Sequence, residues 1–334
     1  MQREIKTNRT RMRVVGVGLD TTTPSVSFGN PDLTSVSKTG TGDVTINFRT
    51  NYAATPVCVG CVGSGIPDGG YLTLFPSPTT SAARFRLLNS SAGAGDSASD
   101  LICFGRGDAS TALTSLQNVL CATDRCSLLG FTIDGTTSSG SITVGGSSAL
   151  LTKNGTGDYT LTFKPAFGRT PIIAATVQNA ATSMIKVASK SAASINIKTF
   201  TDAAVAADRI FHVLVLGTLS KEETGRVYAP INGSQRKPRL IAVKVNYSGG
   251  VPSVSTNTSD ISAVTDNGTG DFTLTFAKPF RRAPVVVSSA EGDISTVVSV
   301  SSTQARILVG TSNGTPFDTP AHVVILGSDD PAQY

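Results

Sequence analysis

Tryptophan is absent, histidine occurs only at His212 and His322, and charged residues make up 15% of the 334 positions. A typical soluble domain carries about 25% charge. So little charge excludes a coiled coil, a charged helical bundle and a disordered acidic tail. No apolar run approaches the roughly 18 residues needed to span a bilayer. Residues 1–6 lack the apolar core of a secretory leader, so the chain reads as soluble, with no membrane partner. What is abundant is glycine (33 residues), together with Ser and Thr. That mixture describes short strands joined by tight turns.

The net charge of +5 suggests nucleic acid until it is located. Arg3, Lys6, Arg9, Arg11 and Arg13 against Glu4 give residues 1–13 a charge of +4. Residues 221–239 carry Lys221, Arg226, Arg236, Lys237 and Arg239 against Glu222 and Glu223, which is +3 and leaves −2 elsewhere. The surplus thus lies in an arm and a linker, outside the folded bodies. No aromatic residue is interleaved in residues 1–13 for base stacking, so nucleic acid is not the expected partner. The arm and Arg236, Lys237 and Arg239 are expected to dock on an acidic neighbouring subunit.

One motif recurs three times. Gly40-Thr-Gly-Asp-Val-Thr-Ile-Asn-Phe48 aligns with Gly155-Thr-Gly-Asp-Tyr-Thr-Leu-Thr-Phe163 and Gly268-Thr-Gly-Asp-Phe-Thr-Leu-Thr-Phe276, at intervals of 115 and 113 residues. Pro56, Pro171 and Pro284 follow at one distance, and each opens an apolar run. Each copy closes on a second apolar run ending at Gly105, Gly217 or Gly327. A period this long means duplication of a whole unit and excludes a solenoid. Inside the motif Tyr159, Leu161 and Phe163 alternate with Thr160 and Thr162, the period of a half-buried strand. Asn154-Gly155 and Asn267-Gly268 read as hairpin turns. Seven or eight short strands per copy predict an all-β protein of three tandem antiparallel β-sandwich or jelly-roll domains. The expected boundaries are a basic arm at 1–13, domains at 14–105, 126–217 and 239–334, and linkers at 106–125 and 218–238. One helix is expected, over 111–120. Linkers of that length allow the units to be strung out or to close about a pseudo-threefold axis.

Candidate chemistry is sparse. Cys58-Val-Gly-Cys61, with Cys121 and Cys126, has zinc-like spacing. Cys58 aligns with Ile173 and Val286, however, and Cys103 with Val215 and Ile325, so both read as core. Residues 58 and 61 also point to opposite faces of a strand. A Cys58–Cys103 or Cys121–Cys126 disulfide is open to the chain, but the odd count of five cysteines leaves one thiol over. His212 and His322 fall at one aligned position, where copy one has Asp100, and no Gly-x-Ser-x-Gly elbow stands beside them. They read as scaffold. Asp43, Asp158 and Asp271 are weighed as calcium ligands, but one carboxylate per loop is thin for that cation. They are expected to fix their turns by accepting backbone N–H groups. Arg106-Gly107-Asp108 matches an adhesion tripeptide too short to carry weight.

Asn154-Gly-Thr-Gly-Asp-Tyr-Thr-Leu-Thr-Phe163, followed by Pro165-Ala-Phe167 or Pro279-Phe280 and then Pro284-Val-Val-Val, resembles β-sandwich modules of accessory virion proteins of tailed bacteriophages. Its Gly157-x-Tyr159-x-Leu161-x-Phe163 strand is similar to that of trimeric C1q/TNF-type jelly rolls. Copy one departs, with Thr39 for Asn and Asn51-Tyr-Ala for the Pro-Phe element. The resemblance implies a non-enzymatic, cofactor-free structural role on a particle: capsid decoration, collar, or tail or fibre component, with other virion proteins as partners. It carries over no site residue. The alternative is a fibre module whose loops bind a host glycan or receptor.

Overall fold

The protein was analysed as a computed structural model, which describes residues 12–22, 25–28, 33–63, 70–74, 78–89, 91, 93–106, 126–179, 183–218, 239–254, 259–311 and 315–327. The expected helix over 111–120, Cys121 and most of both linkers lie outside these residues. Among the described residues the only helical element is a single 3₁₀ turn, Gly146–Ser148, and the architecture is all-β.

Each repeat supplies eight strands. The first has β1 (Met12–Asp20), β2 (Ser25–Phe28), β3 (Leu33–Gly40), β4 (Asp43–Phe48), β5 (Val57–Val62), β6 (Tyr71–Leu74), β7 (Ala82–Leu88) and β8 (Ala98–Arg106). The second has β9 (Cys126–Asp134), β10 (Ser141–Val144), β11 (Ala149–Gly155), β12 (Asp158–Phe163), β13 (Ile172–Gln178), β14 (Ser183–Lys190), β15 (Ser194–Thr201) and β16 (Ile210–Thr218). The third has β17 (Arg239–Ser248), β18 (Val251–Val254), β19 (Ile261–Gly268), β20 (Asp271–Phe276), β21 (Val285–Ala290), β22 (Ile294–Val300), β23 (Gln304–Gly310) and β24 (Ala321–Gly327). Within a repeat these form an inner sheet ordered β2-β1-β8-β5 and an outer sheet ordered β3-β4-β7-β6, and the other two repeats copy that order. The alternation in the motif has its expected effect. Tyr159, Leu161 and Phe163 are buried between the two sheets, while the intervening residues are half-exposed.

The tight turn falls two residues later than Asn-Gly suggests. β11 continues through Gly155, which pairs with Asp158, and Thr156-Gly157 makes the reversal. Gly157 has φ of 64°, and a Cβ there would lie 2.5 Å from the Thr199 carbonyl oxygen. Only glycine meets both the left-handed backbone and the close approach. A bulge between Lys153 and Gly155 carries the strand past Asn154.

The repeats close on one another. β5 of the first pairs with β14 of the second at Val62 and Lys186. β13 of the second pairs with β22 of the third at Gln178 and Val297. A bridge between Leu74 and Glu291 joins the third repeat back to the first. Each inner sheet therefore meets the outer sheet of the next repeat, in a cycle. Of the two arrangements the linker lengths allow, the contacts form the ring.

An apolar plug fills the centre. Each repeat contributes four aligned residues: Val57, Val59, Ile102 and Phe104; Ile172, Ala174, Leu214 and Leu216; Val285, Val287, Val324 and Leu326. A second, smaller plug joins Tyr71, Met184 and Ile294, which occupy equivalent places at the starts of β6, β14 and β22, with Phe200. Gly16 of β1 lets the inner sheet approach closely, because a Cβ there would lie 2.6 Å from Leu216 and 2.7 Å from Ile172. Fully burying each large aliphatic or Phe side chain contributes about 1.5–3 kcal/mol. Phe104→Ala at the axis is expected to cost about 3–5 kcal/mol, and Leu216→Ala or Leu326→Ala about 2–5 kcal/mol. Leu150→Ala, at a site 51% exposed, should change stability by less than about 0.5 kcal/mol. Urea titration checks the set, and an axial variant as mild as Leu150→Ala would contradict the closed ring.

Candidate functional site

The repeated carboxylates sit on the first residue of β4, β12 and β20, and all three take side-chain donors. Asp43 is clasped by Arg84 through Nε at 2.7 Å and Nη2 at 2.6 Å, with Arg86 Nε at 2.9 Å. Asp158 accepts from Asn154 Nδ2 at 3.0 Å and Asn196 Nδ2 at 2.7 Å. Asp271 accepts from Arg306 Nε at 2.9 Å and Asn267 Nδ2 at 3.1 Å. This corrects the expected mechanism, in which backbone N–H groups were the donors. A guanidinium or amide placed diagonally across the strand pair, at Arg84, Asn196 and Arg306, reaches the carboxylate first, because β7, β15 and β23 run beside these strands.

The backbone N–H groups of the turns go to a different trio. Asp96 Oδ1 accepts from Gly42 N at 2.7 Å, Asp208 from Gly157 N at 2.8 Å and Asp318 from Gly270 N at 2.5 Å. These residues were missed, although a signal existed. An aspartate stands four residues before the Asp100, His212 and His322 position in every repeat. Lys153 Nζ at 2.8 Å and the Tyr159 hydroxyl at 2.6 Å also bind Asp208.

The aligned position Asp100/His212/His322 lies inside the last strand of each repeat, and in two of the three it serves a seam of the ring. Asp100 Oδ2 accepts the Ile173 N–H of the next repeat at 3.0 Å, and Oδ1 pairs with Lys190. His322 Nδ1 accepts the Cys58 N–H at 3.1 Å, and Ile173 and Cys58 are aligned residues. The Nε2 of His322 then carries the proton and donates to Glu291 Oε1 at 2.9 Å, and Glu291 also pairs with Lys244 at 2.6 Å. His212 works within its own repeat, between Thr132 at 3.0 Å and Gln178 at 2.9 Å. Its seam is made by Thr176, whose hydroxyl bonds both the Ser288 carbonyl and the Ser288 N–H at 2.9 Å. A buried backbone N–H left without an acceptor costs about 1–3 kcal/mol, so these side chains let the strands of neighbouring repeats meet. The scaffold reading of the two histidines agrees with this placement. Gly63 stands where the other repeats have Gln178 and Glu291, and a cavity opens there beside Cys61, Ser99, Asp100 and Lys190.

Cys58 and Cys103 face each other across β5 and β8, as free thiols with their Sγ atoms 2.7 Å apart in the core of the first repeat. Cys61 points the other way and contacts the Ile173 carbonyl at 3.1 Å. Burial pushes the Cys58 and Cys61 thiols well above their usual range. Among the described residues no group of three or more His, Cys, Asp or Glu side chains is arranged to hold a metal ion.

Of the expected docking residues, Arg3, Lys6, Arg9, Arg11, Arg236 and Lys237 lie outside the described residues. Arg13 is placed only by its backbone, opposite Gly105 in β8. The Arg239 guanidinium lies over the Phe280 ring at 3.7 Å, and Nη2 donates to the Lys278 carbonyl at 2.6 Å. All chain connections leave from one side of the ring, because Met12 pairs with Arg106, Cys126 with Thr218 and Arg239 with Gly327. Comparison with known protein families, with characterised proteins and with solved structures finds no match for the chain.

The ionisable groups predict how the ring responds to acid. Burial lowers His212 from 6.5 to about 3, so it is neutral in the fold. Its contribution is complete above about 6.5, the unfolded value, and is lost as the pH falls toward 3. Hydrogen bonds from Arg84 hold Asp43 at about 2. Burial opposes Gly157, Lys153 and Tyr159 at Asp208, and the bonds prevail to hold it at about 2. Both carboxylates contribute fully above about 4 and lose that contribution as the pH falls through 2. Stability measured by urea titration should therefore decline below about pH 6.5 and again between about 4 and 2. Asp43→Asn should cost about 1–2 kcal/mol at pH 7, given the partly exposed arginines, and its deficit should shrink toward pH 2.

Proposed function

We propose that the chain is a non-enzymatic structural protein of a tailed-phage virion, an exterior accessory component that binds neighbouring virion subunits. The observation that carries this reading is the closed cycle of three aligned repeats about one apolar plug. One chain thereby imitates a homotrimer and suits a threefold or pseudo-threefold site on a particle. Its connections all leave on one side, which is also where the basic arm and the basic linker join the body. Anchoring by those segments would follow from charge complementarity with an acidic neighbour. The repeated polar residues support the same reading, since they bind backbone groups and one another at turns and seams.

Lysine-directed cross-linking of intact particles, read by mass spectrometry, tests the proposal. Cross-links from Lys6 and Lys237 into another particle protein are expected. A chain that stays in the soluble fraction, with no such cross-links, would overturn it. Glycan-array binding that survives deletion of residues 1–13 would instead move the role to host recognition.

A further inference from the structure

Three equivalent loops, residues 49–56, 164–171 and 277–284, carry Arg49, Lys164, Arg169, Lys278, Arg281 and Arg282 and no Asp or Glu. All six are exposed. Among the described residues Asp260 adjoins the third loop, where its carbonyl accepts the Ala277 N–H at 2.8 Å. At the other end of each repeat, around the Gly-Thr-Gly turns, acids and bases are matched in pairs such as Asp43 with Arg84 and Asp208 with Lys153.

The loops are held by buried rings. Tyr52 stacks edge-on against Phe48 at 4.9 Å, Phe167 against Phe163 at 4.8 Å and Phe280 against Phe276 at 5.1 Å. Gly105, Gly217 and Gly327 leave space for those rings, because a Cβ on each would lie 2.4–2.5 Å from one of them. These glycines lie at or one residue before the end of the last strand of each repeat, so the loops lie beside the points where the chain leaves the body. Closure of the ring sets the three loops at equivalent places around its axis. The loop backbones that carry the cations are therefore set before any partner arrives, which lowers the ordering cost of binding.

We infer that the three loops form one rigid docking face for an acidic protein surface, distinct from the basic-arm anchoring proposed above but resting on the same structural role. Single-sign charge on a fixed surface steers and orients an oppositely charged partner. Nucleic acid fits less well. The aromatic residues of the loops, Tyr52, Phe167 and Phe280, are buried and offer no stacking platform. The cations also form three groups about an axis, whereas a phosphate backbone calls for a continuous stripe.

Binding of the full chain to poly-L-glutamate, by fluorescence anisotropy at low salt and at about 0.15 M, tests the inference. Combining Arg49→Ser, Arg169→Ser and Arg281→Ser removes one cation per repeat and should weaken binding by about tenfold or more. A charge-matched control, Thr41→Glu with Thr156→Glu and Thr269→Glu, alters the opposite turns and should stay within about twofold of the wild type. Equal weakening in both variants would reduce the effect to net charge and overturn the docking face, as would an unaffected loop variant. Tighter loop-dependent binding of duplex DNA than of polyglutamate would overturn the protein partner. Acetylation footprinting of the unmutated chain gives a second readout: polyglutamate should slow reaction at Lys164 and Lys278, and no protection there would also overturn it. Loop dependence that persists in a chain lacking residues 1–11 separates this face from the arm. Failure of the particle cross-linking would remove the virion role while leaving these binding results as they stand.

Discussion

The contact of three repeats at one axis is the constraint from which the remaining features follow. Twelve apolar side chains, four from each repeat, exclude water from the centre. None of the three inner sheets could leave that face exposed in water, because a contiguous apolar patch of this kind drives association. A homotrimer would solve the problem with three chains. Here the linkers make the association intramolecular, so closure does not depend on protein concentration. Gly16 and Gly130 belong to the same solution, since a side chain at either position would push into the plug residues of the next repeat.

Around the plug, polar groups are placed by the needs of the backbone. Sheets from adjacent repeats meet through only a few strand pairings, so buried N–H groups at the seams need other acceptors. Asp100 and His322 perform the same task with different chemistry, each accepting the N–H of an aligned residue in the next repeat. Thr176 does it at the remaining seam. The near-symmetric ring therefore has three chemically distinct seams. One holds the Asp100–Lys190 pair, one a neutral hydroxyl, and one the buried Lys244–Glu291–His322 group. Breaking one partner of a buried ionic group costs far more than the intact group contributes.

Much of the sandwich was legible in the residues themselves. Alternation at Tyr159, Leu161 and Phe163 named both a strand and its buried face, because side chains alternate by geometry alone. Aligned apolar positions identified Cys58 and Cys103 as core. The turn position was less legible. Asn154-Gly155 has the composition of a reversal, but a bulge moved it to Thr156-Gly157, and bulges leave no compositional mark. The turn carboxylates were half legible. Their repetition was visible, but whether Asp43 or Asp96 meets the backbone depends on which strands lie beside them.

The threefold repeated motif, the all-β character, the burial pattern within each sandwich and the places where the positive charge resides can all be read from the order of the residues. Each of these is a property of local spacing or composition. Packing of the strands was needed to bring the repeats into a ring, to put Asp100 and His322 at its seams and His212 in its interior, and to set the loops carrying Arg49, Arg169 and Arg281 on one side. Those facts depend on contacts between residues far apart in the chain, from Gln178–His212 within one repeat to Cys58–His322 between the first and the last. An apolar residue facing the axis and one facing its own sandwich core look alike in a strand buried on both faces, as the unbroken burial of β5, β21 and β24 illustrates.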